Sequence, residues 1–226
     1  MIRNQKHATF SSHIRRIKKI KPQGTLLDIG CAKGYFIDLA LREGYSSYGL
    51  EISEYAGEIA RRAVGKDRVE IGTLENSSYQ SDMFDIITMF DFLEHVPNLD
   101  SSLAAVSRLM RPDGLLYIVT PDTSSLSCKL MGSHWWHYKE EHLYYFNERS
   151  LTMLLDRLGY MIRESGPSQK TLSVEYILDQ LKTYPVVFIS RLLTLLGAFM
   201  PPGLRRTMVA FPSGEFYATA CRKTIA

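Results

Sequence analysis

The chain is poor in the residues that would tie it together covalently. Its three cysteines, Cys31, Cys128 and Cys221, are odd in number and widely spaced. They form no CxxC or CxxH pattern, so neither a disulfide framework nor a zinc site is expected. That usage fits a reducing compartment, and a cytoplasmic location is the expectation. The first residues lack the apolar core of a signal peptide. Residues 1–23 lack acid altogether. They hold seven bases, Arg3, Lys6, Arg15, Arg16, Lys18, Lys19 and Lys21, against a remainder of 20 bases and 24 acids. Such an arm can be a solvated helix face, or it can approach phosphates or an anionic membrane. A long apolar run is missing too. The stretch 186–200 is 15 residues long and contains Arg191, whereas a spanning helix needs about 20. A buried helix, a dimer helix or a segment lying on a membrane surface remains open there. Internal repeats, a Gly-x-Ser-x-Gly elbow, a P-loop and zinc-ligand spacings are all absent, which leaves hydrolase, nucleotide-triphosphatase and zinc-finger chemistry without a motif.

What is present is an ordinary globular composition, 45% hydrophobic and 23% charged over 226 residues. Strand-like and helix-like segments alternate between residues 25 and 166, the pattern of a parallel sheet with crossover helices. The expected strands are 25–29, 47–50, 68–71, 84–89, 115–120 and one from 159, with a last strand over 216–222. Ile14, Ile17 and Ile20 mark one face of a helix closed by Pro22 and Gly24. Ser53 and Asn147 are expected helix caps. The expectation is a single α/β domain with a basic arm (1–23), a core (24–166 and 214–223), a loop (121–145) and a helical insertion (172–211).

Two features bear on a ligand. The segment Leu26-Leu27-Asp28-Ile29-Gly30-Cys31-Ala32-Lys33-Gly34 runs a strand through a small-residue loop into a helix. Small residues let backbone approach a ligand, and the helix start offers free N–H groups. The spacing differs from the Gly-x-Gly-x-x-Gly of dinucleotide binders. Glu51 then ends the second strand, where an acid can accept hydrogen bonds from ribose hydroxyls.

These segments, with Gly72-Thr73-Leu74-Glu75, FDIITMFDFLEHVPN and LMRPDGLLYIVTPD, resemble class I S-adenosylmethionine (SAM) dependent methyltransferases over about residues 10–166. The resemblance implies a Rossmann-like, seven-stranded, mostly parallel sheet with helices on both faces, the last strand antiparallel and a helical insertion before it. It implies that SAM, and its product S-adenosylhomocysteine, sits with its methionine part near Asp28, Gly30, Cys31, Ala32 and Gly34. Glu51 would take the ribose, Ile52 the adenine face, Thr73 and Leu74 the adenine edge, and Phe90 the amino-acid end. Ala32 departs from the commoner glycine. Lys33 adds a charge that is expected to point outward.

On the acceptor side, Asp91-x-x-Glu94-His95 resembles the Glu-x-x-Glu-His of ubiquinone-pathway O-methyltransferases and small-RNA 2′-O-methyltransferases, whose carboxylates and histidine bind a divalent ion. Asp91, Glu94 and His95 are thus candidate ligands for Mg2+, which would acidify an acceptor hydroxyl. Alternatively, Glu94 and His95 orient the loop, or His95 is a metal-free base. The aromatic stretch 133–147 resembles the Trp…Glu-His-Leu…Phe-Ser segment of a broad bacterial SAM-methyltransferase family, and by that likeness His142 and Tyr145 face the acceptor. His95, His142 and Tyr145 are therefore the catalytic candidates, and the aromatics offer walls for a small molecule.

The lead expectation is O-methylation of a small-molecule hydroxyl. RNA 2′-O-methylation is an alternative favoured by the basic arm, although no RNA-binding module is visible. No Asn-Pro-Pro-Tyr motif of nucleic acid amino-methylases follows the fourth strand. A non-catalytic SAM-binding scaffold, docked to a membrane or dimerised through 172–211, and an NAD-dependent oxidoreductase complete the alternatives.

Overall fold

The computed structural model describes residues 2–183, 200–205 and 207–223. Seven strands, β1 (Thr25–Ile29), β2 (Ser46–Glu51), β3 (Val69–Ile71), β4 (Phe84–Phe90), β5 (Met110–Pro121), β6 (Tyr160–Ser173) and β7 (Met208–Arg222), form one sheet in the order β3-β2-β1-β4-β5-β7-β6. β1 through β5 pair in parallel, and β7 lies antiparallel to both β5 and β6. The helices are α1 (Ile2–Ile20), α2 (Tyr35–Arg42), α3 (Glu54–Val64), α4 (Leu99–Leu109), α5 (Leu126–Met131), α6 (Glu148–Arg157), α7 (Val174–Thr183) and α8 (Pro202–Arg205). This is a Rossmann-like fold, with seven strands and an antiparallel β7 as the resemblance implies.

The layering follows from the two-residue period of strands. Leu27, Ile29, Ile87, Met89, Leu116 and Ile118 face one side, where α4 supplies Leu103 and Val106 and α6 supplies Leu151 and Leu155. The alternate residues Leu26, Ile86, Leu115 and Tyr117 face the other, against Ile14 and Ile17 of α1 and Phe36 of α2. The central strands are covered on both faces, as parallel sheets are. Ser53 caps α3 through the Ala56 N–H, and Asn147 forms a reciprocal capping box with Ser150.

Three differences from expectation have physical causes. Ile20, the last residue of α1, is exposed, whereas Ile14 and Ile17 are buried. The arm itself is a packed helix. Arg16 lies over the Tyr217 ring, Lys18 pairs with Glu43, and Lys21 pairs with Asp113.

The two outer strands also run further than expected. β6 continues to Ser173 and β7 begins at Met208, pairing Thr171 with Ala210 and Ser173 with Met208. The extension of β7 takes in Pro212, Ser213 and Gly214. They sit inside β7 at a register shift opposite Ser168 and Gln169, with Gly214 at φ 78°. α1 holds this extension: Gln5 Nε2 donates to Ser173 Oγ (2.8 Å), and the Thr171 N–H donates to Thr9 Oγ1 (2.9 Å).

The expected insertion is thereby shortened to the segment between Ser173 and Met208. Residues 184–199, and with them most of the apolar stretch 186–200, lie outside the described residues. Among the described residues no helix is long and apolar enough to cross a membrane.

Candidate active site

The loop after β1 is built by its backbone. Gly30, Ala32 and Gly34 all take positive φ (71°, 47° and 76°), so three left-handed residues turn the chain within five positions. The Gly30 and Cys31 N–H groups donate to the Leu50 carbonyl at the end of β2 (2.8 and 3.1 Å). A Cβ on Gly30 would stand 2.8 Å from the Phe92 ring. Glu51 is clamped across the loop: its carboxylate accepts from the Ala32 N–H and from the Ser53 N–H, each at 2.8 Å. Asp28 is buried behind the loop and accepts from Thr88 Oγ1 (2.7 Å). Burial, with the Glu51 charge nearby, pushes its carboxyl up to about 7.

The other expected cofactor residues fall around this loop in different ways. Ile52 is 72% exposed beside Glu51. Thr73 is half-buried, but the Leu74 side chain packs into the core with Leu27 and Ile29, and its carbonyl accepts from the Ser77 N–H (3.4 Å). Cys31 is buried, and burial raises its thiol well above the ordinary range, so it is no thiolate. Lys33 points outward over the Tyr55 ring. Phe90 packs between Phe10 and Phe36, with ring centroids at 5.0 and 4.6 Å.

A cavity of about 240 Å3 opens between this loop and the extended outer strands. Asp28, Gly30, Cys31 and Ala32 line one end. Lys6, Thr9, Phe10 and His13 of α1, Lys170 of β6 and Glu215 of β7 line the other sides with Phe90 and Asp91. It lies outside the carboxyl ends of β1 and β4, where α/β sheets bind ligands. None of the aromatics of 133–147 lines it. Trp135 Nε1 instead donates to Ser127 Oγ, and Trp136 Nε1 to the Ser213 carbonyl, which anchors the loop.

Asp91, Glu94 and His95 do not converge as a set. Asp91 sits at φ 49°, and its carboxylate lies 3.3 Å from Lys170 Nζ. Lys170 also pairs with buried Glu215, which accepts from Ser213 Oγ (3.0 Å). Burial disfavours the Asp91 charge, but Lys170 and Lys6 outweigh it and hold the carboxyl below its usual range.

Glu94 and His95 meet His142 instead. The ligand atoms of these three residues lie within 4.8 Å of one another. His95 Nδ1 donates to the Glu141 carbonyl (2.9 Å), which leaves Nε2 as the free nitrogen. Glu94 is 1% exposed; one carboxylate oxygen accepts from Thr120 Oγ1 (3.0 Å) and the other, Oε1, has no partner. His142 is 8% exposed, and its Nδ1 is likewise without a partner. Burial and then the Asp91 charge push the Glu94 carboxyl up to about 8. The Leu143 and Tyr144 N–H groups clamp the loop onto the Glu94 carbonyl (2.8 and 3.2 Å). The Tyr145 ring lies 5.9 Å from that of His142 at a tilt of 50°, but its hydroxyl bonds to the Lys139 backbone.

Sequence reasoning missed Lys6, Thr9, His13, Lys170 and Glu215. The basic run and the Ile14/Ile17 spacing pointed to α1 as a helix, not as a cavity wall. Lys170 and Glu215 carried no local signal.

Sheet order and loop geometry together define a Rossmann-like methyltransferase. A family model described as a methyltransferase domain matches residues 1–165. The chain belongs to that family and is a class I SAM-dependent methyltransferase. It is similar to the ubiquinone biosynthesis O-methyltransferase of Bartonella bacilliformis, at 26% identity over 175 residues, covering 68% of this chain and 71% of that one. The ubiquinone biosynthesis O-methyltransferase of Aeromonas salmonicida is 32% identical over 100 residues; this match spans only 42% of either chain. Among solved structures, the fold is similar to magnesium protoporphyrin IX methyltransferase from Synechocystis with bound S-adenosylhomocysteine (TM-score 0.62, 14% identity, covering 96% of this chain and 83% of that one). A SAM-dependent methyltransferase from Archaeoglobus fulgidus gives a TM-score of 0.62 at 18% identity, covering 95% and 93%.

Proposed function

We propose that this enzyme methylates a hydroxyl of a small molecule, with Glu94, His95 and His142 handling that hydroxyl. The observation that carries the reading is the pair of buried, unpartnered atoms, Glu94 Oε1 and His142 Nδ1, beside His95. Buried polar atoms without partners are costly, so two of them in one cluster of ligand groups point to a ligand they receive. The O-methyltransferase names of the relatives agree with a hydroxyl acceptor.

SAM supplies an activated methyl group on sulfur, so the protein's task is alignment and proton management. The left-handed loop at Gly30, Ala32 and Gly34 leaves room against its backbone for the methionine part. Glu51 has lone pairs to spare for ribose hydroxyls beyond the two N–H groups it accepts. Exposed Ile52 offers an apolar face for adenine, and the backbone at Thr73 and Leu74 its edge. Phe90 and Cys31 close the floor. On the acceptor side, Glu94 or His142 takes the hydroxyl proton as the new bond forms.

The donor set of one carboxylate and two imidazoles also suits a divalent ion, which would lower the pKa of a bound hydroxyl. Two imidazoles favour a borderline transition ion over Mg2+, which prefers oxygen ligands. The bases of α1 that hold acids or rings are not free to follow an RNA backbone, which weighs against the RNA reading.

The test is methyl transfer from labelled SAM to a panel of phenols, catechols, amines and thiols. Hydroxyl acceptors should be methylated by the wild type. Glu94→Gln and His142→Asn should each cut kcat/KM by tenfold or more while leaving S-adenosylhomocysteine affinity intact. Exclusive methylation of amines, or unchanged turnover in both variants, would overturn the reading.

A further inference from the structure

The cavity beside the cofactor loop has two unlike walls. One is aromatic. Phe10, Phe36 and Phe90 pack with ring centroids 4.6 to 5.3 Å apart. The other carries ammonium groups from elements far apart in sequence, Lys6 on α1 and Lys170 on β6. An ammonium has three donors. Lys170 directs two of them at Glu215 and Asp91, which leaves one. Lys6 Nζ has only the Phe10 ring, 5.8 Å away, and no ion pair among the described residues. His13, on the same wall, adds no charge, because burial and then Arg16 hold its ring neutral. This part of the lining therefore offers more donors than the protein itself satisfies, beside the apolar surface of Phe10, Phe36 and Phe90.

We propose that the methyl acceptor carries an anionic group, a carboxylate or a phosphate, seated between Lys6 and Lys170 with its apolar body against Phe10 and Phe90. This deepens the reading of a small hydroxyl acceptor and rests on it. Charge-assisted hydrogen bonds to such an anion are the strong kind, and a partly enclosed cleft screens them less than open water. The methionine carboxylate of SAM is a second possible anion. The charged groups that act on Lys6 argue for the acceptor: they are Lys170, Asp91, Glu215 and Lys139, none of which belongs to the loop after β1 or to the end of β2.

The experiment is equilibrium binding to protein saturated with S-adenosylhomocysteine, so it does not depend on turnover. The probes are benzoate, phenyl phosphate, benzyl alcohol and benzylamine, followed by calorimetry. At least one anion should bind about tenfold tighter than benzyl alcohol, with benzylamine weakest. The ratio of benzoate to phenyl phosphate affinity separates carboxylate from phosphate. Lys6→Gln should bring the anion to within about twofold of benzyl alcohol, and Lys6→Arg should restore the preference, both with unchanged S-adenosylhomocysteine affinity.

Anions that bind no tighter than benzyl alcohol would overturn the proposal. So would an unaltered preference in Lys6→Gln. A loss of S-adenosylhomocysteine affinity in that variant would assign Lys6 to the methyl donor's carboxylate and overturn it as well. Failure of hydroxyl methylation would sink the parent reading while leaving this binding preference readable on its own.

Discussion

Glu94 and His142 stand 48 positions apart in the chain, yet each holds a buried atom without a partner, Oε1 and Nδ1, and each brings a ligand atom within 4.8 Å of the other and of His95. Any group that satisfies both binds the folded state and stabilises it by mass action. Mn2+ or Zn2+ should therefore raise the melting temperature of the wild type more than Mg2+ does. The increment should vanish in Glu94→Gln and fall in His142→Asn. The Thr120 hydroxyl and the Glu141 carbonyl, which hold Glu94 and His95 in place, are expected to matter less, about 10- to 100-fold in metal affinity. Equal shifts for wild type and Glu94→Gln in a metal-titrated melt would place the ion elsewhere.

Gly30 tests the cofactor loop. Alanine there must adopt φ 71° and bring its Cβ to 2.8 Å from the Phe92 ring. Gly30→Ala should cost about 1–3 kcal/mol of stability, from backbone strain and displacement of Phe92. It should also weaken S-adenosylhomocysteine binding in an isothermal titration. A variant that melts and binds like the wild type would show that the loop tolerates a side chain.

Asp28 gives a pH signature. Its folded carboxyl is pushed up to about 7 from an ordinary 3.8, mainly by burial. Between about pH 4 and 7 the folded state keeps a proton that the unfolded chain has released. Folded protein thus binds more protons than unfolded, and stability must fall as pH rises through that window. Asp28→Asn keeps an oxygen for the Thr88 hydroxyl and removes the titration. The variant should match the wild type near pH 4 and exceed it at pH 8, by about 1–3 kcal/mol. Parallel stability curves across that range, measured by urea unfolding, would refute this.

Ile17 tests the first helix. It is fully buried against the sheet, so Ile17→Ala should cost about 2–5 kcal/mol. A cost below about 0.5 kcal/mol, the range of surface changes, would mean that α1 is only loosely attached.

What could be read in advance was local. The loop from Asp28 to Gly34, the acid at Glu51 and the cap at Asn147 each depend on residues within a few positions, and their patterns survive in a bare sequence. The spacing of Asp91, Glu94 and His95 assumes a regular turn, and the structure brings Glu94 and His95 together but not Asp91 with them. The left-handed backbone of Asp91 breaks that turn and sends its carboxylate to Lys170, 79 positions away. Likewise, nothing near Lys6 announces a cavity wall. Its role follows from bonds such as Gln5 to Ser173, spanning 168 positions. Pairings of that range leave no periodicity behind.

The seating of α1 on the extension of β6, itself held by β7, has a consequence for biosynthesis. Thr9 finds its partner Thr171, 162 positions on, only after that strand has left the ribosome. The cofactor loop can form early, from β1, β2 and α2 alone. The cavity beside it is assembled last, so a nascent or shortened chain would carry the loop without the cavity wall that α1, β6 and β7 build.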